Sequence, residues 1–302
     1  MLPPLIDIAL FRDAIEQDYL IITPNHRLAA KISEAWSLDC QTRNSVWCTP
    51  RVFAIDHWLK YCWDELQDQN NITLSGKAVV GLPQSRYYWE RAINENDPDL
   101  SSKYAKMVSQ TYSTLGQWDL TVEHVHEDTP AITYLRRWSK SYRQLLAMNT
   151  LVTPAESWQS ILKAFEDGLL SREGTILTYG FQSQPPLIKK ILDTASPETR
   201  SIESTKNSAG SHVVMAVDHD EELRSAANWA AQKITQQPDQ RIGIVVPDLN
   251  SSLTKTVRIV NEALGDYNTE SIVNISAGTP LSQTSIATVS YTHLTLPTTP
   301  YV

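Results

Sequence analysis

At 302 residues with 41% hydrophobic content, the chain carries enough apolar side chains for one large core or two ordinary ones. A formal net charge of −8 and a pI of about 5.4 exclude a surface that grips nucleic acid all over, yet leave room for a local basic groove. Three cysteines, Cys40, Cys48 and Cys62, form no C-x-x-C and are odd in number, which excludes a disulfide framework or a four-cysteine metal cluster.

The N-terminal stretch MLPPLIDIALFRDAIEQ lacks the basic flank and apolar run of a signal peptide, and no segment approaches the ~20 apolar residues of a membrane span. A soluble, cytoplasmic protein without a membrane partner is expected. Tyr19–Ile22 is a short apolar run that reads as a buried parallel strand. Thr23-Pro24-Asn25 breaks it, and Leu28, Ala29, Ile32 and Ala35-Trp36 then recur at helical spacing. Val46–Ile55 reads as extended, and Asp56 starts a helix carrying Trp58, Leu59, Cys62-Trp63 and Leu66. From about residue 75 to 171 the pattern is helical: Lys77–Asn94, Ser101–Trp118, Ala131–Met148 and Ala155–Leu170, the last opened by Thr153-Pro154 with Glu156. Eight of the nine tryptophans lie before residue 160, so this block is an aromatic-rich helical body whose rings pack its core.

Alternation of strand and helix then resumes. Thr175–Tyr179 is a strand, 180–186 a loop and Leu187–Leu192 a helix, followed by a polar linker over Ser201–Ser211. Val213–Val217, Arg241–Val246 and Ile272–Ile275 read as strands. Between them lie helices with apolar faces at Leu223, Ala226-Ala227, Ala230 and Ile234, and at Leu253, Val257, Val260 and Leu264. Such a β-α-β-α-β run is the start of a second α/β domain. The last stretch, Val289–Val302, follows no pattern of what precedes it. It resembles a sequencing-library adapter translated in frame, and is set aside from fold reasoning.

The chemistry-bearing motifs are sparse. A phosphate loop needs G-x-x-x-x-G-K-[ST], and Thr23–Arg27, the place where an α/β fold would carry it, holds no glycine and has a proline that removes an amide. The only Gly-Lys pair, Gly76-Lys77, is followed by Ala78. Thr175–Tyr179 runs into Gly-Phe-Gln where a working ATPase would place a magnesium-binding Asp-Glu. Pro247-Asp248 supplies half of a metal nuclease signature, but no (D/E)-x-K triplet follows, so Asp248 reads as a turn or helix cap. The acidic run Asp218–Glu222 at a helix start reads as capping and dipole compensation. On the helix around LRRWSKSYRQLL, Arg136, Lys140 and Arg143 share one face beside Trp138 and Tyr142. A basic stripe interleaved with aromatics suits a nucleic-acid backbone and unstacked bases, and equally suits a solvated face opposite a packed one.

The succession of Ile22–Ala29 (ITPNHRLA), Trp47–Pro50 with Trp58, Tyr179–Phe181, Glu221–Trp229, Arg241–Leu249 and Asn274–Leu281 resembles the AddB-like family of bacterial double-strand-break repair proteins. It is most similar to the branch called probable DNA repair protein, which ends in a PD-(D/E)xK nuclease domain. The resemblance implies a superfamily-1 helicase-like, RecA-type domain with a large helical insertion, plus the start of a second α/β domain. Domain 1A would comprise residues 1–75 and 172–210, the 1B-like insertion 76–171, and the 2A-like domain 212–288, with 289–302 as the non-native tail. The implied function is an ATPase-inactive, DNA-binding N-terminal part of a recombination nuclease. Its partners would be DNA and a helicase or nuclease subunit. It would need no cofactor of its own, magnesium being expected in the nuclease domain outside this sequence. The alternatives are a nucleotide-binding α/β enzyme with an atypical loop, and a protein-interaction scaffold for a helicase partner. No residue is expected to be catalytic or to bind metal. The expected DNA contacts are Thr23, Asn25, Arg27, Trp47 and Phe181 at the carboxyl edge of the 1A strands, with Arg136, Lys140 and Arg143 extending the path on the helical side.

Overall fold

The computed structural model describes residues 6–43, 46–69, 76–100, 103–126, 129–202, 210–238, 240–265 and 273–277. It is an α/β protein, mostly helical, with a small parallel sheet, and it divides into two compact units, residues 3–207 and 208–302. Among the described residues no helix is long and apolar enough to cross a membrane.

The first unit opens with a short turn at Ile8–Leu10 and α1 (Arg12–Glu16), then β1 (Leu20–Thr23), α2 (His26–Thr42), β2 (Val52–Ala54) and α3 (Ile55–Asp68). A helical body follows: β3 (Ala78–Val79), α4 (Leu82–Asn96), α5 (Lys103–Gln117), a one-turn helix at Val122–His124, α6 (Pro130–Met148), β4 (Leu151–Val152) and α7 (Pro154–Glu166). The chain then returns with β5 (Thr175–Tyr179), α8 (Pro186–Ala195) and β6 (Glu198–Ile202).

The main sheet has the order β2-β1-β5-β6, and every neighbouring pair is parallel. Segments on either side of the helical body therefore build one sheet. Its central strand β1 is buried along its whole length because both faces are covered, as expected of a parallel sheet. Alternate side chains serve different cores. Leu20, Ile22 and Ile176 pack with Trp58, Leu59, Phe165, Leu187 and Ile191. Ile21 and Leu177 face the other way, onto Phe11, Ile32 and Trp36.

The helical body has its own core, centred on Trp89, Ile93, Val108, Trp138, Tyr142 and Leu146. Trp89 and Tyr142 stack with ring centroids 4.0 Å apart and planes 9° from parallel. The hydroxyls of Tyr142 and Ser85 are hydrogen-bonded at 2.8 Å in the interior. Burial pushes the Tyr142 hydroxyl up to about 12, so it stays a neutral partner. Thr153 opens α7 as the sequence indicates: its hydroxyl accepts from the Glu156 amide at 3.2 Å while the Glu156 carboxylate accepts from the Thr153 amide at 2.7 Å.

Several expected boundaries are corrected. The helix predicted over Lys77–Asn94 starts only at Leu82, since Ala78-Val79 pairs in parallel with Leu151-Val152. Pro83 fits the first helical turn, and the Gln84 side chain accepts from the Gly81 amide at 3.3 Å, which fixes the start there. The beginning of the predicted 201–211 linker belongs to β6, a polar edge strand. In the second unit, α9 (His219–Gln236) and α10 (Leu249–Leu264) pack through Leu223, Ala227 and Ile259. The predicted strands Val213–Val217 and Arg241–Val246, and the described part of Ile272–Ile275, enter no ladder among the described residues. A β-prone run becomes a strand only by pairing, and Val213, Met215, Val217 and Val245 are at least 90% exposed. Val289–Val302 lies outside the described residues.

Burial separates the three thiols. Cys62 is enclosed, and desolvation, with Glu65 and Glu173 adding repulsion, pushes its thiol up to about 12. Cys40 is buried, whereas Cys48 is exposed. Timed alkylation with iodoacetamide followed by peptide mass mapping should therefore label Cys48 first. Labelling of Cys62 at the same rate in the folded chain would contradict this packing.

Candidate nucleic-acid interface

Because the four main strands are parallel, their carboxyl ends share one edge, where the turns that follow β1 and β5 and the start of α3, directly after β2, are placed. After β1 only Pro24 and Asn25 intervene before α2. Asn25 caps that helix, its side-chain oxygen accepting from the Leu28 amide at 3.0 Å. Thr23 is fully buried, and its hydroxyl donates to the carbonyls of Asn25 at 3.0 Å and Phe53 at 3.3 Å. This corrects the expected DNA contact at Thr23: the hydroxyl ties β1 to β2 and is closed to a ligand.

The turn after β5 locks onto the same place. Gly180 has a φ of +81°, and a Cβ there would lie 2.5 Å from Leu28 Cδ2 and 3.6 Å from Pro24 Cδ. Apolar atoms of Pro24 and Leu28 thus fill the space beside Gly180. A glycine-rich loop would instead leave such space for phosphate oxygens. Phe181 is half-buried against the core of Trp58 and Phe165, so only part of its ring reaches solvent.

The exposed groups of this edge are polar. Arg27 lies exposed in the first turn of α2, beside His26. His26 Nε2 is 3.4 Å from Asp56 Oδ2, and the rings of His26 and His57 are 5.6 Å apart. His57 also meets the Phe53 ring edge-on at 5.7 Å. Sequence reasoning missed both histidines; the available signal was that each stands in the first turn of a helix that directly follows a short strand. Among the described residues no group of three or more His, Cys, Asp or Glu side chains could hold a metal ion.

Trp47 does not join this edge. β2 begins at Val52 and runs parallel to β1, so Trp47–Pro50 leads into its amino end, opposite the carboxyl edge. The indole is half-buried against the core that holds Ile21 and Ile32. Arg51 beside it pairs with Glu173 at 2.7 Å, just before β5, which marks the same amino edge.

On the helical body, Leu135, Trp138, Tyr142 and Leu145 form the packed face of α6. Arg136 donates to the Val125 carbonyl and Arg143 pairs with Glu123 at 3.2 Å, so both hold the 122–125 turn against α6. The Glu123 carboxyl lies below its ordinary range because of its own backbone amide, the Thr121 hydroxyl and Arg143. Lys140 is exposed. The predicted three-cation stripe is thus largely engaged within the protein. Asp119, at a φ of 58°, receives Lys190 and Gln159 and so ties the helical body to α8.

No protein-family model matches the sequence, and no curated protein matches it.

Proposed function

We propose that this chain is the helicase-like, ATPase-inactive DNA-binding part of a bacterial double-strand-break repair nuclease of the AddB-like kind. In this reading the main sheet is a RecA-type 1A domain, the helical body is the 1B insertion, and residues 212–288 begin a 2A domain. The magnesium-dependent nuclease domain belongs to sequence outside these 302 residues. One observation carries the ATPase-inactive part. Where a phosphate loop would cradle its ligand, Pro24 and Leu28 are packed onto Gly180, and the Asn25 side chain occupies the Leu28 amide. The DNA part is supported by the succession of motifs and by Arg27, His26 and His57 along the carboxyl edge. With a net charge of −8, affinity must come from local positive potential and fall steeply with salt.

A scaffold for a helicase partner is the second reading, favoured by the internal engagement of Arg136 and Arg143. Single-strand binding measured across a salt series separates the two. Arg27→Ala should weaken binding to every sequence alike and lower the log–log salt slope by about one. ATP should neither compete nor be hydrolysed. A parent chain with no salt-dependent DNA affinity would favour the scaffold, and saturable ATP binding would favour the nucleotide enzyme.

A further inference from the structure

Beside the basic stripe, Trp138 of α6 is the centre of a second set of groups that only the structure brings together. Tyr134 stacks on Trp138 with centroids 5.2 Å apart and planes 25° from parallel. Tyr104, reaching over from α5, lies 6.5 Å from the same indole at 37°. The Arg137 guanidinium sits over the Tyr134 ring, 5.3 Å from its centroid. Four planar groups therefore stand in series: Tyr104, Trp138, Tyr134 and Arg137.

The series is held from below. Trp138 is 4% exposed and its Nε1 donates to Asp97 at 2.6 Å, while Arg137 donates to both oxygens of that carboxylate. Asp97 closes α4 and is itself largely covered. One carboxylate thus fixes the indole and the guanidinium together, and neutralises the charge that the guanidinium brings. The outer members face solvent: Tyr104 is 43% exposed, Tyr134 36%, and the Arg137 side chain 46%.

We infer that Tyr104, Tyr134 and Arg137 form a stacking platform for unpaired bases of single-stranded nucleic acid, an inference that rests on the DNA-binding reading above. The ring faces inside the series cover one another, so unpaired bases would stack on what stays exposed, the outer parts of Tyr104, Tyr134 and the Arg137 guanidinium. The local neutrality set by Asp97 suits bases and gives phosphates little to hold. The platform supplies the aromatic contact, and the cations elsewhere supply the phosphate contact.

The test uses the full 302-residue chain with two labelled probes of equal length, a short oligothymidylate and an abasic strand with the same phosphates. The parent should prefer the oligothymidylate. A Tyr104→Ala/Tyr134→Ala variant should lose roughly tenfold to a hundredfold of that affinity while its abasic affinity and salt slope stay unchanged. Tyr104→Phe/Tyr134→Phe keeps the rings and should keep the preference, which separates stacking from misfolding. Equal loss on both probes, or no loss on either, overturns the platform and leaves DNA binding standing. A parent that binds neither probe overturns the DNA reading and the platform with it.

Discussion

Trp89→Ala should lower the stability of the first unit by about 3–5 kcal/mol, the usual cost of deleting a buried tryptophan. Trp89 is 1% exposed and lies at the centre of the helical body. Its indole stacks on Tyr142 at 4.0 Å and receives Tyr112 at 5.3 Å with planes 65° apart. Such aromatic pairs add about 0.5–1.5 kcal/mol beyond the area they bury. The neighbours cannot close the gap cheaply. Tyr142 is tethered to Ser85, and the approach of α5 to α7 is set by Gly116, where a Cβ would lie 2.4 Å from Ala155 Cβ. The cavity should therefore persist. Urea unfolding followed by far-UV dichroism measures the loss, with Trp89→Phe as the ring-keeping control. A loss for the alanine variant below about 1 kcal/mol, typical of an undistinguished substitution, would mean that the helices are not packed around this ring.

Much of that architecture was legible because its signals are local. β1 and β5, LIIT and TILTY, are short runs of β-branched, aliphatic and aromatic residues, and the helices α2, α3, α5, α6 and α7 announce themselves by periodicity and by caps such as Thr153/Glu156. What escaped notice depends on partners distant in sequence. Ala78-Val79 is a strand only because Leu151-Val152 lies beside it. β6 is polar because it is an edge strand, so its sequence, ETRSI, carries no apolar run. Val213–Val217 and Arg241–Val246 carry the apolar run and enter no ladder among the described residues, the converse case.

The candidate site divides in the same way. The placement of Arg27 and Asn25 after β1 follows from the strand–helix pattern alone. That Thr23 is sealed does not, because one of its two acceptors is the Phe53 carbonyl, thirty positions away. Residues 46–55 read as one extended run, which hides that the strand begins at Val52 and so leaves Trp47 at the amino edge. Arg136 and Arg143 form a basic stripe in sequence, but Val125 and Glu123 take them up in space. Charges on a helix face show where cations stand, not what has already claimed them.

The interlock of the β1 and β5 turns leads to a double-mutant prediction. Gly180→Ala places a side chain in a left-handed backbone conformation, costing about 1–2 kcal/mol. It also sets a methyl 2.5 Å from Leu28 Cδ2, which adds an overpacking cost of about 1–3 kcal/mol unless that side chain gives way. Leu28 is half-buried against the core of Ile32 and Trp36, so moving it loses contacts on that side. Leu28→Ala alone loses part of that packing, but in the Gly180→Ala background it also removes the obstacle. The double variant should therefore be more stable than the sum of the two single losses predicts, by about 1–2 kcal/mol, within the range of neighbouring pairs. The backbone part of the Gly180 loss should remain, because truncating Leu28 cannot change φ. Chemical denaturation of the four proteins closes the cycle. Simple additivity, within about 0.5 kcal/mol, would mean that Leu28 does not fill the space beside Gly180. Leu28→Ala alone, which keeps Gly180, opens the place where a phosphate loop would hold its ligand without supplying further glycine amides or a Gly-Lys-Ser/Thr, so it should still bind no ATP. ATP binding gained by that variant would show that the apolar plug alone had kept nucleotide out.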